Sequence, residues 1–204
     1  MDNVNKIADT PAMRRKKPEQ YHHGDLRPAL VAGAMRLLKD QSAAELSLRA
    51  VARLAGVSPN APYRHFASKD ALLAAVAEDG FRRLAAAMDA ASGPPRKRLA
   101  QMGVAYVRFA TENSRLYGLM FGPVLCDWAR FEGLVAAADA SFELLVDAVA
   151  KATGDDRKSA PREAMLAWSA VHGYSMLAID GHLDACRAGE RPKPEELVRI
   201  ITGR

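Results

Sequence analysis

At 204 residues the chain is long enough for one domain of ordinary size or two small ones, and its 49% hydrophobic but only 6% aromatic residues, rich in alanine and poor in β-branched runs, favour helices over strands. The formal charge of +5 lies entirely in the first third: residues 1–70 hold 12 Lys and Arg against 7 Asp and Glu, while residues 71–204 hold 17 of each, which is the footprint of a phosphate-binding part joined to a neutral one. No apolar run approaches the ~20 residues of a bilayer span, Met1–Gln20 lacks the apolar stretch of a signal peptide, and Cys126 and Cys186, 60 positions apart, form neither a CxxC nor a Cys/His cluster, so a reducing cytoplasm is expected and neither a disulfide framework nor a zinc site.

Residues 1–20 show no periodicity and are expected to be a disordered basic arm. Arg14-Arg15-Lys16-Lys17 within it is either a solvated tail or an arm reaching along a nucleic-acid backbone or into a minor groove. A first helix is expected from about Asp25 to Lys39, with Leu26, Leu30, Ala34 and Leu37 on one face and Pro28 tolerated in the first turn. Gln41–Glu45 is a short link. Ser47 is an N-cap, and Leu48, Val51, Ala52 and Ala55 then recur at i, i+3, i+4, i+7. Gly56 supplies the positive φ that stops this helix. Ser58 is expected to cap a further helix, Pro59–Phe66, with Pro59 at its first position. Pro62 removes that helix's first bond, to Ser58, so its start is loose or a 3₁₀ turn. Helix, four-residue turn, helix is the geometry that lays a second helix into a DNA major groove.

Ser68 caps the next helix, which runs to about Ala90 with Asp70 suited to its N-terminal dipole. Ser92-Gly93-Pro94-Pro95 breaks the chain. Helices follow over Pro95–Asn113, Ser114–Phe121, about Asp127 to Ala152, Ala160–Gly181 and Pro194–Ile201. The expected fold is therefore all-α, about nine helices: a three-helix helix–turn–helix domain over 21–70 and a larger helical bundle over 71–204. The helix at 161–180 carries Met165, Leu166, Trp168, Val171, Tyr174, Met176, Leu177 and Ile179 around its whole circumference. Such a helix is covered on all sides, by the core on one and by a second subunit on another.

Gly-Val-Ser-Pro-x-x-x-Tyr-x-x-Phe-x-Ser-Lys, Gly56 to Lys69 here, resembles the DNA-binding signature of the TetR family of transcriptional regulators. Tyr21-His22-His23-Gly24-Asp25-Leu26-Arg27 resembles the first-helix start of one branch, and Trp168-x-x-x-His172-Gly173 an element of one group's C-terminal domain. The resemblance implies a homodimer on a palindromic operator in double-stranded DNA, a small-molecule effector in the C-terminal part, and a reading helix at Pro59–Phe66.

The chemistry of the residues assigns the roles. Asn60 can pair bidentately with adenine, and Arg64 can bind guanine or phosphate. Tyr63 and His65 can donate to phosphates, Tyr63 touching a thymine methyl or standing half in the core, His65 otherwise capping or packing. Ser58 and Ala61 border them. Lys69 at a helix start can clamp a phosphate, and Ser47 and Arg49 suit the flanking backbone. Tyr106, Phe109, Tyr117, Phe121, Trp128, Trp168, His172 and Met176 are candidates for an apolar effector pocket, each with a plain core role as the alternative. No metal site, cofactor, membrane contact or enzyme motif is read: HExxH, a phosphate loop and GxSxG are all absent. A nonspecific architectural DNA-binding protein is the rival reading. It would leave the capped helix–turn–helix and the large neutral part without a purpose.

Overall fold

The computed structural model describes residues 26–125, 127–154, 158–184, 190 and 192–202. The expected basic arm and both cysteines lie outside them. Among the described residues there are eight α-helices and no strand: α1 Leu26–Leu37, α2 Leu48–Leu54, α3 Lys69–Asp89, α4 Pro95–Glu112, α5 Ser114–Phe121, α6 Glu132–Thr153, α7 Ala160–Ile179 and α8 Pro194–Ile201. Two 3₁₀ turns, Ala61–Arg64 and Trp128–Arg130, stand between α2 and α3 and before α6.

The local signals act as expected at three caps. Ser47 Oγ accepts from the Ala50 N–H at 3.2 Å and Ser68 Oγ from the Ala71 N–H at 3.1 Å, each satisfying an otherwise orphaned helix donor. Gly56 takes φ +69 just past the end of α2. Two expectations need correcting. The segment after Gly56 is not a helix from Pro59 to Phe66; only a 3₁₀ turn over Ala61–Arg64 forms, and Ser58 caps no helix. Pro62 is the cause: it has no N–H for the Ser58 carbonyl, which accepts instead from Ala61 at 3.0 Å, an i→i+3 bond. The helix expected from about Asp127 is split as well. Phe131, at φ −102 and ψ 87, separates the Trp128–Arg130 turn from α6.

One apolar cluster runs through the molecule from Leu26 and Leu30 of α1, through Phe66, Leu72, Val76 and Phe81, to Met102, Tyr117, Leu134 and Val198. α3 is its axis. Its residues Leu72 to Ala77 are all buried, and it packs against α1, α4, α5 and α6. A helix buried on every side in its first half cannot move without disturbing its neighbours, because interiors are close-packed. A smaller cluster, Val146, Val149, Ala160 and Ala164, joins the end of α6 to the start of α7. No helix of the described residues is long and apolar enough to cross a membrane.

Candidate functional site

The reading turn is built from inside out. Phe66, 2% exposed, and buried Pro62 pin it to the core. Asn60, Tyr63 and Arg64 then point away, all exposed, with Tyr63 51% accessible despite its large apolar ring. Ala61 and His65 are half-buried, and the His65 N–H closes the turn onto the Pro62 carbonyl at 3.0 Å. Ser47 and Arg49 at the start of α2 are exposed. The Ser47 oxygen is engaged as a cap, which leaves its hydroxyl proton free to donate. Lys69 is placed differently from a free phosphate clamp: its Nζ donates to the Ala44 carbonyl, tying the start of α3 to the link before α2. Arg27 had been given no role by sequence. Its guanidinium lies 5.3 Å above the Phe66 ring, so a cation sits beside the reading turn. Exposed Arg53 adds another at the end of α2.

The second feature is a cavity of about 640 Å³ among α3, α4, α5, α6, α7 and α8, within the usual size range of small-molecule sites. Tyr106, Phe121, Trp128 and Trp168 line it. The other four candidates do not. Tyr117 and His172 stand behind the wall, Phe109 is buried in the core at 8% exposure, and Met176 is 37% exposed on α7. Met88, Met102 and Met120 also line the cavity, a flexible part of its wall.

Behind Tyr106 lies a hydrogen-bonded chain. Trp168 Nε1–H donates to Tyr106 Oη at 2.9 Å; Tyr106 Oη lies 2.8 Å from Tyr117 Oη; Tyr117 Oη lies 2.6 Å from His172 Nδ1, and Tyr106 Oη 3.0 Å from the same nitrogen. With the imidazole proton on Nε2, Nδ1 accepts from one tyrosine and the two hydroxyls bond each other, an arrangement in which every phenolic oxygen of the chain has a partner. Burial keeps all three groups neutral. It pushes the Tyr106 phenol up to about 12, raises Tyr117 still further with the help of Tyr106, and lowers His172 below its ordinary value.

The two features share elements. α3 starts at Lys69, three residues after His65 and Phe66 end the turn, and presents Phe81, Leu84 and Met88 to the cavity. α5 carries Met120 and Phe121 in the cavity wall, while its Arg115 donates from Nη1 to the Lys39 carbonyl at the end of α1. The Glu45 carboxyl nearby is held below its ordinary range, first by the Ser42 N–H and hydroxyl and in smaller part by Arg115.

Residues 99–201 match the family model described as "Tetracyclin repressor-like, C-terminal domain", and residues 30–76 match "Bacterial regulatory proteins, tetR family". No curated protein sequence matches the chain. Among solved structures, a protein of unknown function from Rhodococcus sp. RHA1 is 38% identical, with 91% of this chain and 96% of that one covered at a TM-score of 0.71. A TetR transcriptional regulator from the same organism is 18% identical, covering 89% and 96% at a TM-score of 0.67. The TetR family regulator PfmR from Thermus thermophilus is 19% identical, covering 85% and 94% at a TM-score of 0.59. The last two likenesses are of fold alone. With one matched model spanning half of the sequence and a second covering the helix–turn–helix, the chain belongs to the TetR family of bacterial transcriptional regulators, which bind DNA.

Proposed function

We propose that this regulator is a homodimeric repressor that occupies a palindromic operator and is released from it by a small apolar molecule in the cavity. The observation that carries the reading is the sharing of α3 and α5: both line the cavity, and both reach the helix–turn–helix, α3 directly and α5 through Arg115. A ligand that repositions either helix shifts the reading turn, and linkage requires bound DNA to weaken the ligand by the same factor. On this reading 21–70 is the DNA-binding part, 71–204 the effector and dimer part, and 1–20 a basic arm. The work is done in the cytoplasm, where the DNA is, and involves no catalysis.

Asn60 and Arg64 are the base-reading candidates, with Tyr63 beside them. Ser47, Arg49, Ser58, His65 and the added Arg27 and Arg53 suit the phosphates. Ala61 is small enough for close backbone approach. Lys69 acts by holding the start of α3 in place. Exposed apolar residues on α7 and α8, Leu166, Met176, Leu177 and Ile200, support a two-fold seam between copies.

Selection of bound sequences from random duplex DNA tests the reading. The expected result is a palindrome with half-site centres roughly 34 Å apart, or a multiple of one helical turn. An asymmetric site, or no preference over random DNA at fixed salt, would sink the dimeric-operator reading and favour an architectural role.

A further inference from the structure

We propose that the cavity takes a single unbranched hydrocarbon chain with a small neutral polar head, lying along α6 with the head at Arg96. This rests on the ligand-binding reading of the cavity and adds the shape and chemistry of the ligand.

The first argument is length. Ala138, Phe142, Leu145, Val149 and Ala152 all line the cavity and step by three or four residues down one face of α6. From Ala138 to Ala152 that face is about 21 Å long. α4 runs antiparallel beside it: Arg96 Nε donates to the Ala152 carbonyl at 3.4 Å, and Tyr106, ten residues further on, lies toward the other end. A volume of about 640 Å³ spread over that length leaves a mean section of about 30 Å², a channel roughly 6 Å wide. One extended chain fills it with ordinary contact distances, whereas a compact ring system of equal volume leaves its ends empty.

The second argument is polarity. Toward the Ala138 end the polar atoms of the wall already serve one another: Trp168 Nε1–H binds Tyr106 Oη, and the Ser141 hydroxyl donates to the Ala138 carbonyl at 2.7 Å; Asp139, which lines the same end, can only accept. A neutral head placed there would lose its water and meet acceptors without a matching free donor. At one end stand Arg96 and Glu163, a donor and an acceptor of opposite charge. That pair suits a head that is neutral and both accepts and donates, such as a hydroxyl or primary amide.

The chain has two tryptophans, Trp128 and Trp168, and both line the cavity, so intrinsic fluorescence of the full-length protein reports occupancy. Octan-1-ol, decan-1-ol and dodecan-1-ol are the probes, with 1-adamantanol as a compact alcohol of ten carbons. The expected result is an affinity gain of about four-fold per methylene along the linear series. Decan-1-ol should bind at least ten-fold tighter than 1-adamantanol. Ala138→Leu, which shortens the far end, should weaken dodecan-1-ol several-fold and leave octan-1-ol unchanged; the unchanged octanol also certifies that the variant is folded. Equal binding of the two ten-carbon alcohols, a flat chain-length series, or equal effects of Ala138→Leu on short and long alcohols would overturn the proposal. If the alcohols bind in the expected order and operator DNA is not released, the ligand shape stands and the ligand-responsive reading fails.

Discussion

Pro62 has no N–H to give the Ser58 carbonyl, and the reading segment tightens into one 3₁₀ turn held by buried Pro62 and Phe66. Asn60, Tyr63 and Arg64 are thereby presented on a short rigid corner, not along a rod. Gly56 sets the approach to that corner. A Cβ there meets nothing within 4 Å, so Gly56→Ala should cost only the left-handed backbone penalty, about 1–2 kcal/mol, readable by denaturant unfolding. The buried polar chain allows an ordering test. Tyr117→Phe still leaves Tyr106 Oη 3.0 Å from His172 Nδ1, so the nitrogen keeps a donor. Tyr106→Phe strands the Trp168 N–H and should cost more, about 1–3 kcal/mol. Equal losses would contradict the weight given to the bond from Trp168 Nε1–H to Tyr106 Oη. His172 gives a pH dependence. Its folded pKa is lowered by burial, so in the window below about 6.5 the unfolded chain binds more protons and stability falls as pH falls. Thermal unfolding at pH 7.5 and 5.5 should show a larger loss for the natural protein than for His172→Gln.

α8 is eight residues long, too short to be stable alone, and its only buried residue is Val198. Gly103 of α4 makes its docking close: a Cβ there would lie 2.8 Å from Val198 Cγ2 and 3.6 Å from Val171 Cγ1. Gly103→Ala should therefore push α8 outward and cost about 1–3 kcal/mol. Hydrogen exchange should rise first in 194–201, and a uniform rise would argue against a local undocking. Arg115 joins α5, part of the cavity wall, to the helix–turn–helix by its bond to the Lys39 carbonyl. Arg115→Ala should leave operator affinity without ligand nearly unchanged and shrink the ligand-induced loss of affinity by several-fold. Gel-shift titrations with and without a bound alcohol read both quantities.

At the scale of the whole molecule the exposed surface has two distinct stretches. Beside the reading turn the exposed cations Arg27, Arg49, Arg53 and Arg64 surround exposed Leu54 and Tyr63, while α7 and α8 expose Leu166, Leu177 and Ile200. Salt should therefore weaken DNA binding steeply without dissociating the proposed dimer. Leu177→Asp should do the reverse: sedimentation should show a monomer, and operator affinity should fall by orders of magnitude as the second half-site contact is lost, with the fold intact by circular dichroism.

How much of this could be read from the sequence depends on how local the cause is. Ser47, Gly56 and Ser68 act within four residues of themselves, so capping and turn chemistry announced them. The restart at Ser114 and the bounds of α5 and α8 were equally visible. The effect of Pro62 was half visible: a lost bond was foreseeable, and its outcome as a single 3₁₀ turn depended on Phe66 being buried. The candidate pocket was less legible. Spacing along α7 could not tell an inward face from an outward one, because the helix is apolar all round. Met176 turned outward as a result, while Trp168, eight residues earlier, lines the cavity. Tyr117 and His172 are 55 positions apart, and nothing in either neighbourhood signals their 2.6 Å contact. The sequence by itself determined the all-α fold, the capped turn and the basic third, because backbone hydrogen bonds and charge are fixed by near neighbours and composition. Only the tertiary structure decided where the cavity runs and which groups close behind it. Those depend on the antiparallel packing of α4, α6 and α7, and side chains far apart in the chain meet only once the helices have docked.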